Sequence, residues 1–545
     1  MEQLMSRQVS SQPLPAGKGR EKIMQVVLST VICIVLLCGG MASSGIPELF
    51  AGAEPDRGPS ANAGPGSGAL AMSLRDFVRS VRDKNEQIAY QHAEWAVSGE
   101  AVKGAKAIFE PALVGSYQYQ DDNRKNTVQE MINQGYAPEF WEDSLSQQLA
   151  VEGLLPTGGK VRLGFSQRDF SNSVDNRYNV DKEKQTIVGV SLIQPLLKDG
   201  GVKPTMAAIR MAEADRDIAF QNYRMQTMRV MAEAIAAYWD LYLARQKYRV
   251  RQESERSAEE VLRDNLVRMK TGRMSEIEVL EAQAALATRK ALVSEAKQAI
   301  VSALNNVRTY LSSSVSATNV EIEPVEEPRI KELKMDFSDS LGKALALRGE
   351  YLSSRKKSER EDIRLAFAEN QLWPQIDLKG SYNLNGLTDK FGHPMNDALE
   401  REHPTWSVGL EMRIPLGGSK KAASELEATR QRKRQALLEL KAVEVSLANA
   451  VDTAIRNMEN AREQVLQQSG AVEINRRLLK TESQRFTAGK SNSRILLERE
   501  ENLNNSREGE LEGLVRYMKS LYQLELAEGS LLVNQGVDVM EAGVK

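Results

Sequence analysis

Between Val202 and Thr271 the chain has no glycine and a single proline, Pro204; between Lys420 and Ala488 it has no proline and a single glycine, Gly470. Glycine and proline are the residues that interrupt a helix, so each stretch reads as one continuous helix. Pro204 falls near a helix start, where proline is tolerated. Roughly seventy residues at 1.5 Å each would span about 100 Å. Few globular domains hold such a helix; coiled coils and ducts do. Gly272 and Gly489 stand where each helix must stop and reverse, because glycine takes the left-handed C′ conformation without penalty. With 27% charged and 6% aromatic residues, the helices carry narrow apolar stripes on a polar body. Such stripes need neighbouring helices to bury them.

The mature chain is written twice. Val188–Leu196 (VGVSLIQPL) returns without a gap as Val408–Leu416 (VGLEMRIPL), and Gly200-Gly201 is echoed by Gly417-Gly418. Arg268-Met269-Lys270-Thr271-Gly272 is matched by Arg485-Phe486-Thr487-Ala488-Gly489, with Leu280 and Leu497 at the same distance beyond. Pro111 with Ser116-Tyr117 is matched by Pro374 with Ser381-Tyr382. Three echoes in one order indicate a tandem duplication. Each half reads as helix, strands, very long helix, turn, helix, with a first repeat at 72–330, a second at 331–535 and a tail at 536–545. A lead helix is expected over 72–109.

The strand regions alternate with period two. Ile376, Leu378, Tyr382 and Leu384 share one face, opposite Asp377, Lys379, Ser381 and Asn383; Trp406, Val408, Leu410, Met412 and Ile414 oppose Ser407, Gly409, Glu411 and Arg413. This pattern fits a sheet wet on one side. Its length also fits a tilted membrane strand, with Tyr382 and Trp406 suited to an interfacial girdle. A soluble antiparallel sheet is the alternative. One chain has too few strands to close a water-filled barrel, and an open edge in lipid leaves backbone groups unsatisfied, so a membrane sheet here must oligomerise.

Lys18, Arg20 and Lys22 precede the apolar run Val26–Leu37, and Ala51-Gly52-Ala53 offers a small-residue cleavage site. Residues 1–53 read as a secretory signal, with an N-terminal anchor as the alternative. A lipoprotein at Cys38 is opposed by Leu37, too large for the usual lipobox. Cys33 and Cys38 are the two cysteines, so the mature chain needs no disulfide. Residues 54–71, rich in Gly, Ala, Pro and Ser, read as a disordered leader.

Taken together, Leu192-Ile193-Gln194-Pro195-Leu196-Leu197, its echo Met412-Arg413-Ile414-Pro415-Leu416-Gly417-Gly418, and the two Arg-x-x-x-Gly turns resemble the TolC-type outer-membrane factors. The resemblance covers nearly all of residues 72–535. It implies an α+β membrane protein: a homotrimer with a 12-stranded outer-membrane β-barrel joined to a helical tunnel in the periplasm. That tunnel meets an inner-membrane transporter through a periplasmic adaptor, and the chain supplies a passive exit. Near the helical turns the resemblance places aperture candidates. Glu278 and Glu498 match acidic positions; Phe486 stands where the family has Tyr, Ser491 where it has Arg, and Ile495 where it has a second carboxylate. A ring of carboxylates from three subunits would favour cations; solvated helix-surface glutamates are the alternative. The first half departs from the family by showing four strand-like stretches, near 112–120, 144–154, 160–170 and 186–194, where two are usual. The turn Pro156-Thr157-Gly158-Gly159 separates the middle pair. Either these residues add a hairpin to the barrel portion or they form a flap; twelve core strands are expected in the trimer.

No enzyme, cofactor or metal site is expected. His92, His393 and His403 lack ligand spacing, and there is no phosphate loop, dinucleotide fingerprint or nucleophile elbow. A formal net charge of −2 gives no basic face for nucleic acid. Two other readings stay open: a duct for type I protein or polysaccharide secretion, and a periplasmic coiled-coil adaptor without a pore. The latter leaves the alternating strands unexplained.

Overall fold

The computed structural model describes residues 70–174, 182–311, 321–330, 335–388, 398 and 403–537; the expected signal, most of the leader, His393 and most of the tail lie outside them. The chain runs β1 (Leu70–Met72), α1 (Leu74–Lys84), α2 (Glu86–Lys106), β2 (Ala112–Lys125), α3 (Val128–Asn133), β3 (Glu139–Leu154), β4 (Lys160–Asn172), β5 (Glu183–Pro195), α4 (Val202–Thr205) and α5 (Ala207–Lys270). It continues through α6 (Glu276–Tyr310), β6 (Ile322–Pro324), α7 (Phe337–Leu347), α8 (Gly349–Asn370), β7 (Gln375–Thr388), β8 (Pro404–Arg413), α9 (Lys420–Thr487), α10 (Ser493–Glu528) and α11 (Leu531–Asn534).

The long helices α5 and α9 have 64 and 68 residues, about 100 Å each. Helices α2 and α6 both pack along α5, while α8 and α10 both pack along α9. Asn85 explains why the lead helix is two helices and not one. Its side chain accepts from Gln87 N at 3.0 Å and Ile88 N at 3.2 Å, capping α2. Its Nδ2 also donates to the carbonyl of Tyr310 at 3.2 Å, at the C-terminus of α6. One side chain thus satisfies the ends of two helices that meet end to end. In the second half Arg348 makes the equivalent link, donating to the carbonyl of Leu526 in α10. The first long helix likewise begins at Ala207, because Met206 separates it from the single turn α4 that holds Pro204.

Midway along α5, Met231, Ile235, Tyr238, Trp239 and Leu241 are buried against Phe77 and Val81 of α1, Ile322 of β6, Ala344 of α7, Tyr517 and Leu524 of α10 and Leu531 of α11. Each such large side chain stabilises by roughly 1.5–3 kcal/mol when fully buried. The expected leader ends earlier than residue 71: Leu70 and Ala71 already pair with Ile322 and Glu323 in a parallel β1–β6 sheet. The hydroxyl of Tyr238 donates to the carbonyl of Met72 at 3.0 Å. Burial pushes that hydroxyl up to about 12.

The remaining strands form one antiparallel sheet in the order β2-β3-β4-β5-β7-β8. The chain therefore supplies six strands and not four. The extra pair, β3 and β4, lies inside the sheet between β2 and β5, where a hairpin added to the barrel portion would stand. Pro195 ends β5, and Pro415 follows β8 in a turn where Gly418 N donates to its carbonyl at 3.2 Å.

Gly272 and Gly489 each sit at φ +71°. Gly272 N donates to Met269 O and Arg273 N to Arg268 O, both at 2.9 Å; Gly489 N and Lys490 N donate to Phe486 O and Arg485 O at 3.1 and 2.8 Å. These are Schellman closures, with Arg268 and Arg485 supplying the C3 carbonyls. A side chain at either glycine would meet open space, so only backbone strain opposes substitution. Gly272→Val and Gly489→Val should each destabilise their turn by about 1–2 kcal/mol. Gly489→Asn should be much milder. Faster amide exchange confined to the peptides spanning each turn, at an unchanged global melting temperature, is the expected result.

Candidate functional site

Because directly paired residues of an antiparallel sheet share a face, the register assigns every strand residue to one of two surfaces. Leu113, Val151, Leu163, Val190, Tyr382 and Trp406 form one row across all six strands. All six are apolar or aromatic, and all are exposed, from 41% for Val190 to 71% for Trp406. The next row is Gly115, Leu149, Phe165, Val188, Leu384 and Pro404. Val408, Leu410 and Met412 carry the same face further along β8 and are likewise exposed. Contiguous exposed apolar surface of this extent marks an interaction or membrane surface. The five face positions from Pro404 to Met412 in β8 span roughly 25 Å, the height of the apolar band on a membrane barrel.

The opposite face is more polar, with Val114, Ile187 and Ile193 among its apolar members. It holds Ser116, Gln148, Ser166, Asn383 and Thr405, and cross-strand ion pairs between Lys379 and Glu411, Arg168 and Glu142, and Arg162 and Glu152. No described helix is long and apolar enough to cross a membrane, so the sheet is the surface whose chemistry suits one.

At the far ends of the long helices the two hairpins meet. The Arg268 guanidinium lies 4.4 Å from the centroid of the Phe486 ring, and Phe486 is only 6% exposed. The ring without a hydroxyl therefore has a cation–π partner on the other hairpin. Ser491 donates to the buried carboxylate of Glu482, which Arg485 also approaches at 3.4 Å. Ser491 thus closes a contact within its own hairpin. Glu278 is the third helical residue of α6 and completes a capping box: its carboxylate accepts from Ser275 N at 3.1 Å and Ser275 Oγ at 3.2 Å. Its backbone carbonyl accepts from the fully buried Asn265 at 3.4 Å. Glu498 is exposed and lines a cleft of about 310 Å³ with Arg251, Glu281, Arg289, Arg494 and Glu501. Ile495 N donates to the cap residue Asn492 at 3.0 Å.

The structure adds residues that sequence reasoning missed. Asp240, Lys247 and Arg251 of α5 pair with Lys519, Glu512 and Glu508 of α10. As one number rises by seven and then four, the other falls by seven and then four. Arg251 Nη2 donates to Glu508 at 2.7 Å, and Arg507 reaches Glu253 at 3.3 Å. Beyond this ladder, Arg289 of α6 donates to Glu500 at 3.2 Å and to the carbonyl of Leu497 at 3.1 Å, with both ionic side chains about nine-tenths buried. Complementary charge at helical spacing was present in the sequence, but it becomes a signal only once α5 and α10 are known to face each other antiparallel.

The sequence model of outer membrane efflux proteins matches residues 78–313 and 343–530, well over half of the chain. The chain belongs to the outer membrane efflux protein family. Outer membrane efflux protein BepC of Brucella suis biovar 1 (strain 1330) is 22% identical over 311 residues, covering 56% of this chain. The chain matches 65% of that relative's length, just under two thirds. Among solved structures, the Campylobacter jejuni CmeC outer membrane channel superposes with a TM-score of 0.60 at 14% identity, over 86% of this chain and 90% of that one. Vibrio cholerae VceC gives 0.58 at 15% identity, over 84% and 96%. Membership in this family makes the chain an outer-membrane efflux protein.

The buried pair in this efflux protein yields a pH dependence. Burial pushes the Glu500 carboxyl above the usual carboxylate range, with Arg289 and the Ser257 hydroxyl pulling it back and Glu260 adding to the rise. The docked state therefore binds the proton more readily than the open one. Docking of α6 on α10 should be tightest at acidic pH and should weaken as pH rises through the raised Glu500 value. Glu500→Gln should flatten that dependence in amide exchange. Arg289→Met alone should cost about 3–5 kcal/mol by leaving a buried carboxylate unpaired, while Arg289→Met with Glu500→Leu should recover most of it.

Proposed function

We propose that three copies of this chain form a passive exit duct through the outer membrane, whose helical end docks a periplasmic adaptor and an inner-membrane transporter. The observation that carries this reading is the six-strand apolar face joined at one end to helices about 100 Å long. A face of exposed Leu, Val, Tyr and Trp has no stable place in water, while its polar reverse can line an aqueous bore. Helix α9 supports it: Leu438, Val445, Leu466 and Ile474 are exposed on a single chain, and neighbouring copies would cover them. Each repeat, 72–330 and 331–535, then contributes one helical hairpin to the tunnel. Energy comes from the transporter; the duct selects little.

Detergent-extracted protein should run as a trimer by light scattering and migrate differently on gels before and after heating. A stable monomer that opens no pore in lipid bilayers would sink the duct.

Within the duct we assign the throat to the helical turns, with Glu498 facing the lumen. The carboxylate of Glu278 is committed to its helix cap, so the two glutamates should differ on mutation. Glu498→Gln should lower cation selectivity and weaken block by divalent ions in planar bilayers. Glu278→Gln should act chiefly by loosening the start of α6. Equal effects of both substitutions on selectivity would count against this assignment.

A further inference from the structure

We propose that the wall closed by three copies has eighteen strands, β2 of each copy pairing antiparallel with β8 of the next. This rests on the trimeric-duct reading and fixes the interface and width of its membrane part.

Three observations carry it. The first is polarity. Strand β2 leaves the helical end of the molecule after α2, and β8 returns to it before α9, with every intervening pair antiparallel. The two free edges therefore run in opposite directions, so copies placed around an axis continue the antiparallel pattern at each junction. The second is facial continuity. The row from Leu113 to Trp406 and the row beside it stay apolar through β3 and β4, with Leu149, Val151, Leu163 and Phe165 in line with their neighbours. A hairpin lying outside the bilayer would not need that alternation in register with the rest.

The third is the seat of the β3–β4 turn. Gln194 Nε2 donates to the carbonyl of Thr157 at 2.9 Å, the Thr157 hydroxyl donates to Gln194 Oε1 at 2.9 Å, and Gly201 N donates to the same Thr157 carbonyl at 2.9 Å. Gly158, at φ +84°, lies so close that a Cβ would sit 2.5 Å from the Asp199 carbonyl. The added hairpin is thus fastened to the junction where β5 passes into the helices. Strands β3 and β4 cannot leave the wall without stripping β2 and β5 of the partners they have in it. In hydrocarbon the unpaired edges of β2 and β8 would each strand a row of backbone groups, which only another copy's edge can satisfy. Since barrel diameter grows nearly linearly with strand number, the wall would be about half as wide again as a twelve-stranded one.

The test uses the full chain in lipid nanodiscs. Native mass gives the number of copies, and an end-on electron-microscopy map gives the strands in the wall. Three copies with eighteen strands is the expected result. Three copies with a twelve-stranded wall and the hairpin outside would overturn this inference and leave the duct intact; a monomer would overturn the duct itself. Independently, single cysteines are placed in a C33S/C38S background. At positions 149, 151, 163 and 165 they should escape a water-soluble sulfonate reagent, and a bimane there should be quenched by brominated lipid. At 148, 150, 162 and 164 they should react with the reagent and escape quenching. Equal aqueous labelling of both sets would remove β3 and β4 from the wall.

Discussion

A peptide group inside hydrocarbon has no water to bond, so every strand in a membrane must have a partner on both sides. The architecture of this chain follows from that demand. Inside one copy it forces the strict order β2-β3-β4-β5-β7-β8, in which each strand after the first finds its partner in the strand already laid down. At the two ends of the sheet it goes unmet, because β2 and β8 each have one neighbour. A single chain is therefore incomplete in lipid regardless of how well its helices pack. The helical part shows the same incompleteness in water. Helix α10 docks on α5, yet α9 keeps Leu438, Val445, Leu466 and Ile474 exposed. Edge backbone above and apolar stripe below both call for neighbouring copies.

The long helices and the strands could be read from sequence because each rests on a local rule. Absence of Gly and Pro marks α5 and α9, and period-two alternation marks β7 and β8. Periodicity assigns a residue to a face, but it does not say which strand lies alongside which. Hence residues 144–170 were legible as strands and illegible as members of the same sheet. Asn85 was passed over for a related reason: an asparagine within a helical pattern costs little, and only the carbonyl of Tyr310, far along the chain, makes a break there favourable.

At the helical turns, counting from a glycine assigns positions along the chain but cannot tell what a side chain is doing. Ser275 three residues before Glu278 is a capping-box signature that was legible in the sequence. It competes for the carboxylate that a throat would need, and the structure gives it to the cap. Phe486 shows the converse. It lacks the hydroxyl of the tyrosine that the family resemblance places there, yet Arg268 on the other hairpin sits in position to use the face of the ring. The ion-pair ladder on α5 and α10 was hidden because each of its charges, taken singly, looks like solvated helix surface.

These contacts differ in what it takes to separate them, and the difference bears on how the hairpins could part. An Arg–aromatic contact contributes about 0.5–2 kcal/mol while the cation stays over the ring face. Ion pairs of the partly exposed ladder contribute about 0–1 kcal/mol each, but their mixed signs and matched spacing fix one register of α5 against α10. The buried Arg289–Glu500 pair differs from both: separating it exposes two charges that had been matched, while keeping it requires Glu500 to stay charged where burial disfavours charge. Along the molecule the order is ladder, buried pair, then cation–π contact at the tip. A force applied at the tip meets the single cation–π contact first and the register-setting contacts last. On the duct reading, the hairpins would then splay from their ends about a fixed upper contact, so an aperture could widen without α5 sliding along α10.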